Sequence, residues 1–231
     1  MEWLYCALLL MLFLFSLPHW KKKYQVKRWH RALHLKQHHT HFQMVVHNIN
    51  GFALSREARA HHDAMEYTYG EIEFIPFIAL IAMTHPTPTT RFYDLGSGTG
   101  KAVLACAMVF DMQAYCGVEL FPALHDAALI QRDRLKQLPA YAQKTNLMHF
   151  INDDFLNIEL TEASLIFVNA TALLGETWDT LNQHLRAQTR PGTVIITTSK
   201  PLIAATMFSI THTTQVMMSW GIVSAYVHQR H

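Results

Sequence analysis

A chain of 231 residues, half of them apolar, has room for one substantial domain plus an extension and can bury a full core. A net charge of only +2 does not mark it as a polyanion binder, and nucleic acid is not an expected partner. Three cysteines (Cys6, Cys106, Cys116) show neither metal spacing nor an even-numbered framework, which excludes a disulfide scaffold and points to a reducing compartment.

In chain order, the first feature is the apolar run in "MEWLYCALLLMLFLFSLPHWKKK". Its positive charge follows the run instead of preceding it, the reverse of a cleavable signal peptide. Extended through Trp20, with the lysines snorkelling, it predicts an N-terminal membrane helix over residues 1–20. The positive-inside rule then places the rest of a single-pass chain on the cytoplasmic side. A buried or interfacial helix is the alternative. Between Glu2 and Glu57 there is no acid, while Lys21, Lys22, Lys23, Lys27, Arg28, Arg31 and Lys36 crowd one stretch. Membrane contact is therefore expected through residues 3–20 and the basic stretch 21–36, within a His-rich juxtamembrane segment 21–54. His30, His34 and His38 recur every fourth residue, a spacing that can hold zinc. No carboxylate or cysteine joins them and their surroundings are cationic, so an amphipathic helix is expected there and no metal site.

Residues 55–231 read as the main domain, with a helical lead-in at 55–88 and a core at 89–231. "SREARAHHDAMEY" predicts a helix with Ser55 at its N-cap. "EIEFIPFIALIAM" predicts an apolar helix with Pro76 in its first turn, closed by Pro86 and Pro88. An alternation follows: strand 91–95, helix 100–110, strand 114–118, helix 122–138, strand 147–151, strand 164–168, helix 175–187 and strand 193–198. Such alternation implies an α/β fold with parallel βαβ units and a doubly wound sheet. Two final β-like runs split at Trp220-Gly221 add an antiparallel hairpin, which makes the sheet mixed and seven-stranded.

The turn after the first strand, "RFYDLGSGTGKAVL", decides the ligand class. A P-loop needs glycine five positions before its GK and a hydroxyl after it; here those positions are Leu95 and Ala102. A dinucleotide fingerprint needs its third glycine where Lys101 stands. What remains is Gly96, Gly98 and Gly100 around Ser97, with Asp94 before them and Glu119 closing the next strand, placed for the two hydroxyls of a ribose. Glycines without phosphate-binding chemistry suit a nucleoside carrying a short amino-acid tail. The pattern resembles motif I of class I S-adenosylmethionine (SAM) methyltransferases.

A narrower resemblance lies in the order "YGEI", "DLGSGTGKAVL", "GVEL", "NDDFLN", "ASLIFVNATALLG", "TTSKPL", "MSWGIVSAYVH". This series resembles the DOT1-like family of lysine methyltransferases over about residues 55–231. The resemblance implies a class I methyltransferase (Rossmann-like) fold, SAM as cofactor and a protein lysine as methyl acceptor. It places Tyr69 and Glu71 over the methionine tail of SAM, with Asp94, Gly96, Ser97, Gly98 and Gly100 lining it, Glu119 on the ribose, and Asp154 and Phe155 at the adenine. Asn169 matches the first Asn of the family's VNN, at the mouth where it orients the amine and meets the cofactor; Trp220 matches the tryptophan walling the lysine channel, with Tyr226 beside it. Ala170 replaces the second Asn, and Ala225 falls where a channel aromatic is expected, so a lipid, small-molecule or RNA acceptor, or an inactive SAM-binding scaffold, stays open. The family's nucleosome-reading extension is not expected after His231. Read without the resemblance, Glu119 is an ordinary strand-end carboxylate, Asp153-Asp154 a turn, Asn169 a helix N-cap and Tyr69 boundary packing.

Overall fold

The computed structural model describes residues 23–60, 67–203 and 206–231. Helices α1 (Leu35–Val46), α2 (Gly51–Ala58) and α3 (Phe74–Ala82) lead into β1 (Arg91–Leu95), α4 (Lys101–Val109), β2 (Ala114–Glu119), α5 (Pro122–Lys136) and β3 (Met148–Asn152). Then come β4 (Leu165–Val168), α6 (Gly175–Gln188), β5 (Val194–Thr198), β6 (Phe208–Met218) and β7 (Gly221–Arg230). One seven-stranded sheet runs β3-β2-β1-β4-β5-β7-β6, parallel except for the β6–β7 hairpin and its antiparallel pairing to β5.

The central strands are short, nearly continuous apolar runs because both of their faces are covered. On one face Leu35, Phe77, Ile81, Leu104 and Met108 pack with Phe92, Phe167 and Ile196. On the other, Trp178, Leu181 and Leu185 of α6 pack with Leu95, Ile166, Val168 and Ile195. Each fully buried aliphatic or aromatic side chain contributes roughly 1.5–3 kcal/mol of transfer free energy, so this layering holds the strand ends in place. The hairpin forms the outer edge of the sheet, and β6 presents Thr211, His212 and Thr213 to solvent, polar side chains that discourage edge-to-edge pairing.

Three expectations at the N-terminal side change. The anchor expected over residues 1–20 lies outside the described residues; among the described residues no helix is long and apolar enough to cross a membrane, so the expected membrane helix is without support. Ser55 does not cap α2: Asn50 does, its Oδ1 accepting from the Ala53 N–H at 3.1 Å, while Ser55 is buried mid-helix. His30, His34 and His38 do not share one helical face, because His34 sits at a left-handed turn (φ 48°) that breaks the helix before α1. Within the stretch read as juxtamembrane, Leu35, Phe42 and Val45 of α1 enter the core, and His38 Nδ1 and His41 Nδ1 each lie 2.9 Å from the Tyr141 hydroxyl.

The apolar helix also starts later than expected. Residues 71–73 run extended along the end of the hairpin instead, with Ile72 bridged to Met218, Ser219 N–H bonded to Glu71 O and Glu73 N–H bonded to Met217 O. Gly70 before them and the Ser219 hydroxyl accepting from Glu71 N–H remove the helical start. The result is a strap, residues 67–73, crossing the carboxyl ends of the strands.

Candidate active site

Strand register brings the ligand elements level. Asp94 pairs with Gly117, Leu95 with Val168 and Glu119 with Asn152, so the turns after β1, β2, β3 and β4 open on one side. The chain leaves β1 toward β2 and β3 in one direction and toward β4 and β5 in the other, and open α/β sheets hold ligands at that switch point. A cleft of about 410 Å³ lies there. Its walls include Tyr69, Glu71, Asp94, Gly96, Ser97, Gly98, Glu119, Asp154, Phe155 and Asn169, all expected from the sequence.

The floor is the glycine turn. Gly96 and Gly98 have φ of 82° and 54°, left-handed backbone that glycine adopts without strain. A side chain on Gly96 would meet nothing within 4 Å, so this backbone faces open space, whereas a Cβ on Gly98 would stand 2.6 Å from the Tyr69 ring. Tyr69 lies between Gly51 and Gly98, its hydroxyl donating to Glu71 Oε1 at 2.6 Å. Burial first, and then the Glu71 carboxylate, raises that hydroxyl's pKa well above its ordinary value, so it stays a donor.

Two carboxyl groups set the electrostatics. Glu119 is held by backbone: Oε2 accepts from Gly98 N–H at 2.7 Å and Oε1 from Phe121 N–H at 2.9 Å. Each oxygen keeps a lone pair for a hydroxyl donor, as a ribose requires. Burial raises its pKa, opposed by those N–H groups. Asp94 is 3% exposed, and burial, then the neighbouring Glu119 charge, pushes it up to about 8. A buried carboxyl in a cleft wall becomes a favourable anion once a cation arrives. At the far end Asp154 uses one oxygen to cap the turn at Phe155–Asn157, accepting from Leu156 N–H at 2.9 Å.

The structure also supplies residues that the sequence reading passed over. Lys101 places Nζ 2.8 and 2.7 Å from the two Glu71 oxygens, inside the cleft wall. The Gly100-Lys101 pair is its sequence signal, and neither a P-loop nor a dinucleotide turn accounts for it. Tyr67 meets Phe121 edge-on, ring centroids 5.2 Å apart, and both line the cleft. Glu176, in the first turn of α6, lines it from the other side.

Four of the expected site residues make other contacts in the structure. Gly100 lies outside the cleft lining and serves packing: a Cβ there would stand 2.7 Å from Phe150 and 2.8 Å from Ala128. Trp220 is 45% exposed and also outside the lining; its ring lies against Gly70, where a Cβ would come within 1.8 Å of it. Tyr226 pairs with Thr197, whereas Ala225 pairs with Thr198, the residue whose hydroxyl reaches Asn169. Neighbours on a strand point to opposite faces, so Tyr226 faces away from Asn169, toward the His228 ring 6.3 Å off. Asn169 does line the cleft, but its Oδ1 already accepts from Thr198 and Thr171 at 2.7 and 3.0 Å and is not available to an incoming amine. Ala170 is fully buried in the core and takes no part in the lining.

The family described as histone methylation protein DOT1 matches residues 53–226. The chain belongs to the DOT1 family. Among curated relatives, the H3 lysine-79 specific histone-lysine N-methyltransferase of Candida albicans is 27% identical over 62% of this chain, and its Caenorhabditis elegans counterpart 29% over 58%. The matches span only 11% and 15% of those longer proteins. The fold is that of class I methyltransferases: an RNA methyltransferase from Salinibacter ruber, solved with S-adenosyl-L-homocysteine, superimposes with a TM-score of 0.51 at 22% identity, over 65% of this chain and 87% of that one. The open glycine backbone at Gly96, the buried Asp94 and the backbone-held Glu119 fit S-adenosylmethionine, the cofactor of such enzymes.

The expected single-pass membrane location is corrected here. No described helix is long and apolar enough to cross a membrane, and the curated relatives are histone-lysine methyltransferases. Membrane contact through residues 3–20 and 21–36 is not retained as a partner.

Proposed function

We propose that this protein transfers a methyl group from SAM to the side-chain amine of a lysine in a protein substrate. The carrying observation is the cleft itself: a glycine floor open at Gly96, one carboxylate locked by backbone N–H groups, and a second buried carboxyl kept for a cation, in a chain of the DOT1 family. The relatives' specificity for a histone lysine supports the acceptor class.

SAM supplies an electrophilic methyl on a sulfonium, and the attack is an in-line displacement. The residues position and desolvate. Glu119 receives the ribose hydroxyls, Asp154 and Phe155 hold the adenine, and Asp94 with Glu71 faces the cationic tail. Holding two reactants in attack geometry contributes up to roughly 7–11 kcal/mol. The lysine attacks as the neutral amine; burial in the cleft favours loss of its proton to water.

The test is methyl transfer from SAM carrying a labelled methyl group, using purified full-length protein with core histones, nucleosomes, cell lysate protein, RNA and lipid extract as acceptors. Label on lysine, located by mass spectrometry, is the expected result. Label confined to RNA, lipid or a small molecule moves the acceptor class; SAM binding with no transfer to any fraction overturns the enzymatic reading.

A further inference from the structure

Asn169 raises a question that its position alone does not answer: which face of its amide meets the cleft. Oxygen and nitrogen of an amide are told apart by their neighbours. One end of the Asn169 amide lies 3.2 Å from Gly70 O in the strap. A carbonyl oxygen only accepts, so that end is Nδ2. The other end is therefore Oδ1, and both hydroxyls beside it must donate: Thr198 Oγ1 at 2.7 Å and Thr171 Oγ1 at 3.0 Å.

The directions propagate one step further. Thr171 spends its only hydroxyl hydrogen on Asn169, so in the 2.7 Å contact between Thr171 and Ser199 the Ser199 hydroxyl is the donor. Ser199 reaches Thr171 from a left-handed backbone (φ 67°), a sparsely populated conformation for serine that its N–H bond to Ser224 O at 2.7 Å helps hold. All bonds then run one way: Ser199 to Thr171 to Asn169, Thr198 to Asn169, and Asn169 to Gly70.

We infer that the hydroxyls of Thr171, Thr198 and Ser199 lock the Asn169 amide, so that Asn169 pins the donor strap at Gly70 and shows the cleft an N–H and no lone pair. Thr198, on β5, and Thr171 and Ser199, in the loops after β4 and β5, are positioning residues for the donor half of the site, although none of the three lines the cleft. The pinned carbonyl stands between Tyr69 and Glu71, the two strap residues that meet the methionine tail. Trp220 backs the same point from the other side, its ring against Gly70. An amide turned this way cannot accept a hydrogen from the attacking amine. The assignment of the tail to the strap rests on the proposed function; the lock itself does not.

The experiment compares two isosteric pairs in the full-length protein. The double variant Thr171→Val/Thr198→Val removes both hydroxyls while keeping side-chain size; Thr171→Ser/Thr198→Ser keeps both hydroxyls. S-adenosylhomocysteine, uncharged at sulfur, is the probe for calorimetry, and hydrogen exchange of the peptide spanning 67–73 reports the strap in ligand-free protein. The valine double is expected to weaken the probe and speed strap exchange about fivefold to tenfold, as for a lost buried hydrogen bond, with the serine double within about twofold of wild type. Asn169→Asp keeps an oxygen toward the threonines but sets a second oxygen against Gly70 O, and is expected to act like the valine double. Valine and serine doubles that behave alike overturn the lock, as does Asn169→Asp with unchanged strap exchange. Should the valine double fail to fold, Asn169→Asp and the single Thr198→Val carry the test. A wild type that binds no probe at all refutes the cofactor reading, while strap exchange still decides the lock.

Discussion

The donor floor of the cleft and the support of its strap are built by different rules. The donor half gathers Asp94, Gly96, Gly98 and Glu119 from the ends of two neighbouring parallel strands, and Glu119 is fixed by main-chain N–H groups of Gly98 and Phe121. The strap support gathers Asn169, Thr198, Gly70 and Trp220 from a strand end, a second strand, the strap and a hairpin tip, joined by side-chain hydroxyls and ring packing. Backbone-built sites tolerate side-chain change and keep a short sequence signature. Side-chain-built sites vary with each residue in the network.

Gly98→Arg breaks the donor half most completely. A non-glycine residue at φ 54° is strained, and its Cβ would stand 2.6 Å from the Tyr69 ring. SAM affinity by calorimetry is expected to fall by roughly 3 kcal/mol or more, about a hundredfold, with turnover lost in step. Glu119→Ala comes next. It removes the ribose acceptor and frees the Gly98 and Phe121 N–H groups, for an expected loss of roughly 1.5–3 kcal/mol in SAM binding.

Asp94 sharpens the comparison through pH. Its folded pKa of about 8 lies above the unfolded value near 3.8, so the folded state binds its proton more tightly. The favourable contribution is fully present below the unfolded value and is lost as pH rises through the folded one. Thermal melts of ligand-free protein should lose midpoint between about pH 4 and 8, with a flatter profile in Asp94→Asn. A cationic tail favours the ionised form, so SAM affinity should climb over the same window in wild type, with proton release, and hardly in the variant. The smallest effect belongs to Tyr226→Phe. Facing away from Asn169, its hydroxyl loss should leave methyl transfer within about twofold of wild type, the range of a surface substitution.

What the sequence makes legible follows the same division. The strands show as apolar runs because both sheet faces are covered, and the hairpin shows through the break at Trp220-Gly221. The donor residues show because they lie in one turn and one strand end. The Asn169 network does not show, since its partners Gly70 and Thr198 stand 99 and 29 positions away. Trp220 reads as a channel wall until its packing on Gly70 is seen. The docking of α1 is equally hidden. Its lysine and three histidines read as part of a lipid-facing segment, while Leu35, Phe42 and Val45 enter the core and Tyr141, 103 positions beyond His38, meets the imidazoles. Lys101 has a motif signal that one template explains wrongly.

The claim that this cleft is a SAM site is tested most directly by calorimetry of the full-length protein with SAM, NAD and ATP side by side. Micromolar-range binding of SAM is expected, lost in Gly98→Arg and weakened in Glu119→Ala, with no comparable binding of NAD or ATP, because the turn lacks phosphate-binding chemistry. Equal affinity for NAD or ATP, or SAM affinity untouched by Glu119→Ala, would contradict it.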